Sequence, residues 1–185
     1  MQAIIDACTS GRLDAEPRVV ISNNSSSPAL ERARREGIPY FHLSGRTHQT
    51  PEDLDRAILE TLEEHRVNLV VLAGYMRLLG RQTLSQYPGR ILNIHPALLP
   101  RYGGRGMFGR RVHEAVLAAG DRVAGVTIHK VDLRYDHGEI VAQCEVPVVE
   151  GDTADSLSER VLRREHEFYV ETLQRISRGE IDLGL

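Results

Sequence analysis

The sequence predicts an α/β protein built on a single doubly wound, mostly parallel sheet with helices on both faces. Short apolar segments typical of buried strands alternate with amphipathic segments of about 10 to 15 residues, as in strand–helix–strand units. Glycine, proline and hydroxyl residues stand where these segments begin and end. A chain of 185 residues has the size of one domain, so we expect residues 1–185 to form a single domain.

The first half of the chain alternates regularly between the two kinds of segment. Gly37 suits the left-handed position that follows a helix, and Thr50 with Pro51 forms a good helix start. The pattern predicts helices in QAIIDACTSG, in PALERARREG and from Thr50 onward, and strands in PRVVIS, IPYFHL and NLVVLAG.

The second half continues the alternation and ends in a long helix. The pattern predicts a short helix in RQTLSQYPG, a strand in RILNIHP, a helix in RRVHEAVLAAG, strands in AGVTIHKV and GEIVAQCEVPV, and a final helix from about residue 153 to 178. The sequence shows no internal repeat and no interdomain linker.

Composition narrows the function classes. A formal net charge of −3 argues against a broad nucleic-acid or anionic-membrane surface, and no apolar run approaches the roughly 20 residues of a membrane span. Cys8 and Cys144 form neither a paired motif nor a metal spacing, which favours a reduced, cytoplasmic location. The eight histidines contain no H-E-x-x-H, so we expect no metal site.

Two polar side chains stand at the end of the apolar strand RILNIHP. Asn93 and His95 are two residues apart, so they point to the same face, and Pro96 ends the strand. Open parallel sheets place ligands at the carboxyl ends of their strands. Burying an amide and an imidazole without partners would cost roughly 1–3 kcal/mol each, so we expect these groups to meet a partner or a substrate.

A carboxylate partner for His95 is expected from the segment HKVDLRYDHGEI. Asp132 and Asp136 lie there in the loop between two strands, where a solvated acidic turn is the competing interpretation. A carboxylate beside His95 would raise the pKa of the imidazole toward or above neutrality. The pair would then supply a general acid next to an amide donor, a combination that stabilises an oxyanion.

Three other features have a structural and a functional interpretation. The glycine-rich GRGMFG follows no strand directly, which favours a flexible active-site loop over a dinucleotide fingerprint. His129 lies in an alternating strand and is expected to be a satisfied core histidine. Glu165 falls within the apolar stripe of the last helix, where it either pairs with an arginine or accepts hydrogen bonds from sugar hydroxyls.

Five stretches of the chain, in order, carry a resemblance to a known family: VVLAGYMRLL, ILNIHPALLP, HEAVLAAGDRVAGVTIHKVD, YDHGEIVAQ and VPVVEGDTADSLSERVLRREH. Together they closely resemble the phosphoribosylglycinamide formyltransferases, a branch of the folate-dependent formyltransferase family. The resemblance covers nearly the whole chain and implies the formyltransferase fold. It also implies a cytoplasmic transferase of purine biosynthesis and one-carbon metabolism, active as a monomer or homodimer.

The resemblance implies transfer of a formyl group from the co-substrate 10-formyltetrahydrofolate to the amine of phosphoribosylglycinamide. Asn93 and a protonated His95 would stabilise the oxyanion, and Asp136 would keep His95 charged and assist proton transfer. Folate-binding residues would be Met76, Arg77, Leu78, Leu79, Asn93, Asp132 and Asp136. Substrate-binding residues would be Gly74, Pro96 and Glu165.

The chain departs from the family at three places. Relatives begin with a strand that runs into a glycine-rich phosphate loop, whereas this chain starts just after that position. We therefore expect an N-terminally truncated domain with either a gap or another segment beside NLVVLAG. Leu162 stands where relatives often have a polar residue near the ribose phosphate. Pro51 stands where many relatives have a basic residue near the folate. A formyltetrahydrofolate hydrolase and a folate-binding remnant remain alternative functions; a methionyl-tRNA formyltransferase would need a further basic domain.

Overall fold

The computed structural model describes residues 1–184, in which helices and strands alternate along the chain. The helices are α1 (Gln2–Thr9), α2 (Pro28–Arg35), α3 (Pro51–Glu64), α4 (Arg81–Gln86), α5 (Arg110–Ala118) and α6 (Ala154–Ser177). The strands are β1 (Val20–Ser22), β2 (Tyr40–His42), β3 (Val70–Leu72), β4 (Ile91–His95), β5 (Val123–Lys130) and β6 (Ile140–Pro147). Within residues 1–184 no helix combines the length and the apolar content of a membrane span.

Side-chain caps set the helix starts at the predicted positions. The Thr50 hydroxyl accepts a hydrogen bond from the Asp53 amide at 3.0 Å, and Pro51 opens α3. Thr153 and Ser156 cap α6 reciprocally, each side chain bonding the other's backbone N–H. Gly37 follows α2 with a φ of 69°, a conformation in which glycine carries no steric cost. The predicted helix boundaries are confirmed at these points.

The strands form two sheets. β1 and β2 pair in parallel, while β3, β4, β5 and β6 form a second sheet in that order. Its β3–β4 pair is parallel, but β4–β5 and β5–β6 are antiparallel. β5 and β6 are antiparallel because only the loop 131–139 joins them, whereas a parallel pair needs a long crossover. The predicted α/β class is confirmed, with this antiparallel edge as an addition.

Helices cover both faces of the larger sheet, as the sequence predicts. Ile91 and Leu92 are neighbours on β4, so they point to opposite faces. Ile91 packs with Ile58 and Leu62 of α3, whereas Leu92 packs with Leu157 and other residues of α6. Two separate cores therefore enclose β4, one on each face of the sheet.

A cleft of about 1590 Å³ separates the two sheets, where the sequence predicts a gap. β1 and β3 line it. The amides of Val20 and Val70 bond the neighbouring strands on the far sides, at 2.9 and 2.8 Å. Because successive residues of a strand alternate their hydrogen-bonding direction, Ile21 and Val71 direct their backbone groups into the cleft.

Candidate functional site

The carboxyl end of β4 places Asn93 beside His129 of β5. The two residues are directly opposite in the antiparallel ladder, and the Asn93 amide Nδ2 donates to Nε2 of His129 at 3.1 Å. His129 Nδ1 donates to the Lys130 carbonyl oxygen at 2.8 Å, which leaves Nε2 as the acceptor. His129 is buried and satisfied, as predicted, but its partner is the site residue Asn93. It therefore fixes the orientation of the Asn93 amide.

His95 ends the same strand and is almost fully buried, with 4% of its surface exposed. Its Nε2 donates to the Tyr102 carbonyl oxygen at 2.8 Å, and its Nδ1 lies 3.5 Å from Oδ1 of Asp136. The imidazole thus lies between a carbonyl oxygen and a carboxylate, and in its neutral form the single N–H is on Nε2. Tyr102, which the sequence did not indicate, has a φ of 57° and turns the chain back over the ring.

Asp136 is the carboxylate of this cluster. Its Oδ1 lies 3.5 Å from His95 and 3.6 Å from Nε2 of His129, and its Oδ2 accepts a hydrogen bond from the Gly104 amide at 2.9 Å. Asp136 has a φ of 53°, a left-handed conformation unusual for a residue other than glycine. The surrounding contacts hold this conformation, which aims the carboxylate at both histidines.

Burial controls the charge of His95. It lowers the pKa of the imidazole below its ordinary value, although Asp136 and the Tyr102 carbonyl act in the opposite direction. Asp136 thus raises the pKa of His95, as expected, but burial outweighs this effect and the net pKa does not reach its ordinary value. Burial also raises the pKa of Asp136, but the hydrogen bond from the Gly104 amide acts in the opposite direction, and the net pKa lies below its ordinary value. The site at neutral pH contains an ionised Asp136 and a neutral His95.

Two glycines allow this close packing around Asp136. A Cβ at Gly138 would lie 1.9 Å from the Lys130 carbonyl oxygen, so only glycine fits where the loop crosses β5. A Cβ at Gly103 would lie 2.4 Å from Leu99 and 3.2 Å from Asp136. The glycine-rich stretch thus contacts Asp136 through the Gly104 amide.

The turn that follows His95 is anchored from β5 and β6. The Thr127 hydroxyl donates to the Ala97 carbonyl oxygen at 2.6 Å and accepts from the Leu99 amide at 3.0 Å. Gln143 donates to both the Thr127 hydroxyl and the Leu99 carbonyl oxygen, at 2.9 and 3.0 Å. These bonds fix the turn that contains Pro96. Neither Thr127 nor Gln143 stands out in the sequence, because each lies within an ordinary strand pattern.

The predicted folate-binding residues fall into two groups. Met76, Arg77, Leu78 and Leu79 follow β3 in an irregular segment, and Leu72 at the end of β3 pairs with Asn93. The Met76 and Leu78 side chains are 51% and 43% exposed. Leu79 instead packs into the α3 core, so its side chain faces away from solvent.

Asp132 forms the second group and lies apart from His95. Its Oδ2 contacts His137 Nδ1 at 2.8 Å, and its Oδ1 accepts from the Arg134 amide at 2.7 Å. Burial raises the pKa of Asp132, but these hydrogen bonds lower it by a larger amount, so the net pKa lies below the ordinary value. The structure therefore selects Asp136, and not Asp132, as the partner of His95.

The predicted substrate-binding residues lie at the ends of β3 and β4 and on α6. Gly74 has a φ of 76° at the carboxyl end of β3 and lines the cleft, while Pro96 directly follows His95. Burial raises the pKa of Glu165 to about 7. In residues 1–184 the one charge recorded as acting on Glu165 is the Met1 ammonium, which partly offsets this rise. The arginine pairing considered for Glu165 is therefore absent from the described chain.

Comparison with known sequences identifies relatives of this chain. Residues 1–173 match the family model described as formyl transferase. The chain is 39% identical over 181 residues to the chloroplastic phosphoribosylglycinamide formyltransferase of Vigna unguiculata, covering 97% of this chain and 58% of that protein. It is 36% identical to the Escherichia coli K12 phosphoribosylglycinamide formyltransferase, covering 99% and 84%. The chain thus spans less than two thirds of the plant relative.

Solved structures of similar fold carry related names. Glycinamide ribonucleotide transformylase 1 from Symbiobacterium toebii superimposes with a TM-score of 0.88 at 41% identity, covering 96% of this chain and 82% of that one. A formyltetrahydrofolate deformylase from Pseudomonas syringae gives a TM-score of 0.74 at 25% identity, covering 97% and 55%. Both the TM-score and the sequence identity are higher for the transformylase than for the deformylase.

Proposed function

Because this chain belongs to the formyl transferase family, we propose that it transfers a formyl group from 10-formyltetrahydrofolate to the amine of 5-phosphoribosylglycinamide. The observation that carries the proposal is the cluster at the end of β4, where Asn93, His95 and Asp136 meet within hydrogen-bonding or ion-pair distance of shared partners. An amide donor, a buried imidazole and an ionised carboxylate are the groups that acyl transfer through an oxyanion requires.

Asn93 and His95 stabilise the oxyanion in this proposal. The amine nitrogen attacks the formyl carbon, a C–N bond forms, and the formyl oxygen takes up negative charge. Asn93 has an amide hydrogen beyond the one that His129 accepts, and it donates this hydrogen to the oxyanion. His95 Nε2 exchanges the Tyr102 carbonyl for the oxyanion, since contacts of this kind often tighten only when substrate binds.

Proton movement follows from the charges in the site. His95 begins neutral, and negative charge that develops beside it raises its pKa as the intermediate forms. The attacking amine loses a proton through the ionised Asp136 to the unprotonated Nδ1 of His95, and the carboxylate beside Nδ1 stabilises the resulting imidazolium. Collapse of the intermediate breaks the bond from the formyl carbon to N10 of the folate. The same proton then passes from His95 through Asp136 to N10, which restores the neutral imidazole.

The two substrates approach the cluster from opposite directions in this proposal. The folate lies along Met76 to Leu79 and the loop from Asp132 to Asp136, where exposed apolar side chains suit its ring system. Phosphoribosylglycinamide lies past Gly74 and Pro96, with its ribose hydroxyls on Glu165, whose carboxylate has no arginine partner in residues 1–184. We also propose that the protein acts in the cytoplasm as a monomer or homodimer.

Hydrolysis of 10-formyltetrahydrofolate is the second candidate function, because a deformylase shares the fold at a TM-score of 0.74. The two activities use the same oxyanion chemistry and differ in the nucleophile, an amine or water. The closer likeness to a transformylase, at 0.88, favours transfer.

His95→Ala tests the assignment of this cluster. We expect kcat for formyl transfer to fall by at least about 10²-fold, the effect of losing one oxyanion or acid contributor. His65→Ala removes a half-buried imidazole at the end of α3 and serves as the matched control. A His95→Ala enzyme that keeps near-full turnover would remove His95 from the mechanism.

A further inference from the structure

The start of α4 is held by a carboxylate from a different helix. Asp55 lies on α3 and is 5% exposed. Its Oδ2 accepts a hydrogen bond from the Gln82 amide at 2.7 Å, while its Oδ1 accepts from the Thr83 amide at 3.2 Å and from the Thr83 hydroxyl at 2.6 Å. The first N–H groups of a helix lack intrahelical acceptors, and the preceding Gly80 has no side chain to cap them. Asp55 supplies the cap.

The fit between this carboxylate and the chain before α4 is close. A Cβ at Gly80 would lie 2.1 Å from Cγ of Asp55. The backbone at Gly80 therefore rests directly on the carboxyl group. This contact and the three hydrogen bonds fix both the position and the direction of the chain where it enters α4.

That fixed point is the far end of the segment Met76–Leu79. The segment leaves β3 beside Asn93, contains no helix or strand, and rejoins regular structure at Arg81. Met76 and Leu78 are exposed, whereas Leu79 is buried one residue before Gly80. The positions of the two exposed apolar side chains thus depend on how firmly Gly80 and α4 are held.

We propose that Asp55 is a positioning residue for folate binding, acting through Gly80 and α4 on the segment Met76–Leu79. The inference rests on the proposed function, because it takes this segment to contact the folate. A carboxylate suits the task better than an amide, because both of its oxygens accept and they bond the amides of two successive residues, Gln82 and Thr83. Pro96 and Glu165, on the phosphoribosylglycinamide side of the proposed site, belong to other elements, the end of β4 and α6.

Asp55→Asn is the main test, because it keeps one acceptor oxygen and sets an NH2 group against a backbone N–H. We expect the KM for 10-formyltetrahydrofolate to rise about 10-fold, with kcat and the KM for phosphoribosylglycinamide within about 2-fold of wild type. Thr83→Val removes only the hydroxyl contact and should raise the same KM by a smaller factor. The Kd of a non-reactive 5-formyl folate, measured by calorimetry, should follow the KM.

Asp152→Asn is the matched control. Asp152 also has a buried carboxylate and accepts hydrogen bonds from the Val149 amide and the Ser156 hydroxyl, but it lies between β6 and α6. The Asp152→Asn substitution should lower the melting temperature and leave the KM for 10-formyltetrahydrofolate unchanged. Equal changes of kcat and both KM values in Asp55→Asn, or an unchanged folate Kd, would overturn the inference. Absence of transfer by the wild-type chain would instead overturn the proposed function, since folate binding can still be measured.

Discussion

Burial and hydrogen bonding act in opposite directions on the titratable side chains around β4. For His95 burial prevails and lowers the pKa, whereas for Asp136 the neighbouring donors prevail and keep the carboxylate ionised. Glu165 has no such donors among residues 1–184, so burial raises its pKa to about 7. At neutral pH Asp136 is therefore ionised, whereas Glu165 is close to the midpoint of its titration.

The raised pKa of Glu165 predicts a pH-dependent affinity for phosphoribosylglycinamide. The carboxylate accepts hydrogen bonds from two ribose hydroxyls better than the carboxylic acid does, so the Kd should fall as pH rises from about 6 to about 8. Glu165→Gln should bind more weakly, and its Kd should lack this component of the pH dependence. Calorimetric titrations of both proteins across this range measure the difference.

Protein stability should respond to Glu165 with the opposite sign. Its folded-state pKa is raised from 4.5 to about 7, so its contribution is fully present below about 4.5 and is lost as pH rises through about 7. Glu165→Gln should lose this pH dependence in the free energy of unfolding. A variant whose Kd profile parallels that of wild type would exclude Glu165 from the substrate site.

Part of the site follows from residue spacing and part does not. Strand alternation brought Asn93 and His95 to one face, and the structure shows both at the predicted strand end. His129 was predicted only as a core residue, because its contact with Asn93 depends on the antiparallel pairing of β4 and β5. The choice of Asp136 over Asp132 depends on a left-handed backbone that no local pattern specifies.

Among the secondary-structure elements, α6 makes a side-chain contact to both β3 and β4. The buried hydroxyl of Tyr169 donates to the carbonyl oxygens of Leu72 on β3 and Leu92 on β4, at 3.2 and 3.0 Å. Leu72 and Leu92 precede the segment Met76–Leu79 and Asn93 respectively. The helix therefore supports both strand ends from below the site.

Tyr169→Phe should destabilise the protein by about 1–3 kcal/mol, the cost of leaving buried acceptors without a donor. Denaturant unfolding measures this difference. Tyr87→Phe is the control, because the Tyr87 hydroxyl has no hydrogen bond recorded within residues 1–184 and its ring is equally buried. Equal stabilities of the two variants would show that the Tyr169 hydroxyl contributes nothing to the link between α6 and the strands.

The helix boundaries were the most predictable feature of the fold, because a capping side chain bonds a backbone amide only a few residues away. Thr50 and Thr153 bond amides three residues ahead, and the sequence alone contains that information. Strand partners were less predictable. β5 and β6 are antiparallel because they pair through a short connection, a choice that depends on the whole sheet and not on either strand's composition.

At the scale of the whole molecule, the cleft between β1 and β3 interrupts an otherwise continuous layer of strands. The α/β class could be predicted because alternating strands and helices leave few arrangements, and the gap could be expected from the resemblance. The dimensions of the cleft could not be predicted, since they depend on how α1 and α6 pack. Ile21 and Val71 both present backbone groups to this cleft, which a parallel strand between them would satisfy.

Fusing an apolar strand of about five residues and a glycine-rich loop ahead of Met1 should therefore raise the melting temperature by several degrees. The loop would also offer backbone N–H groups to the substrate phosphate, so the Kd for phosphoribosylglycinamide should fall. The control is the same fusion with a central proline, which cannot donate to the ladder. If calorimetry finds that the chain, the fusion and the proline control are equally stable and bind phosphoribosylglycinamide equally tightly, the cleft does not accept a strand.

The central claim is transfer of the formyl group to an amine, and product analysis tests it most directly. The chain is incubated with 10-formyltetrahydrofolate labelled at the formyl carbon, with and without 5-phosphoribosylglycinamide, and the label is followed by mass spectrometry. We predict that the label appears in formylated phosphoribosylglycinamide, one per folate consumed, and that His95→Ala abolishes most of it. Label found in formate at the same rate with or without the amine would contradict the account and identify a hydrolase.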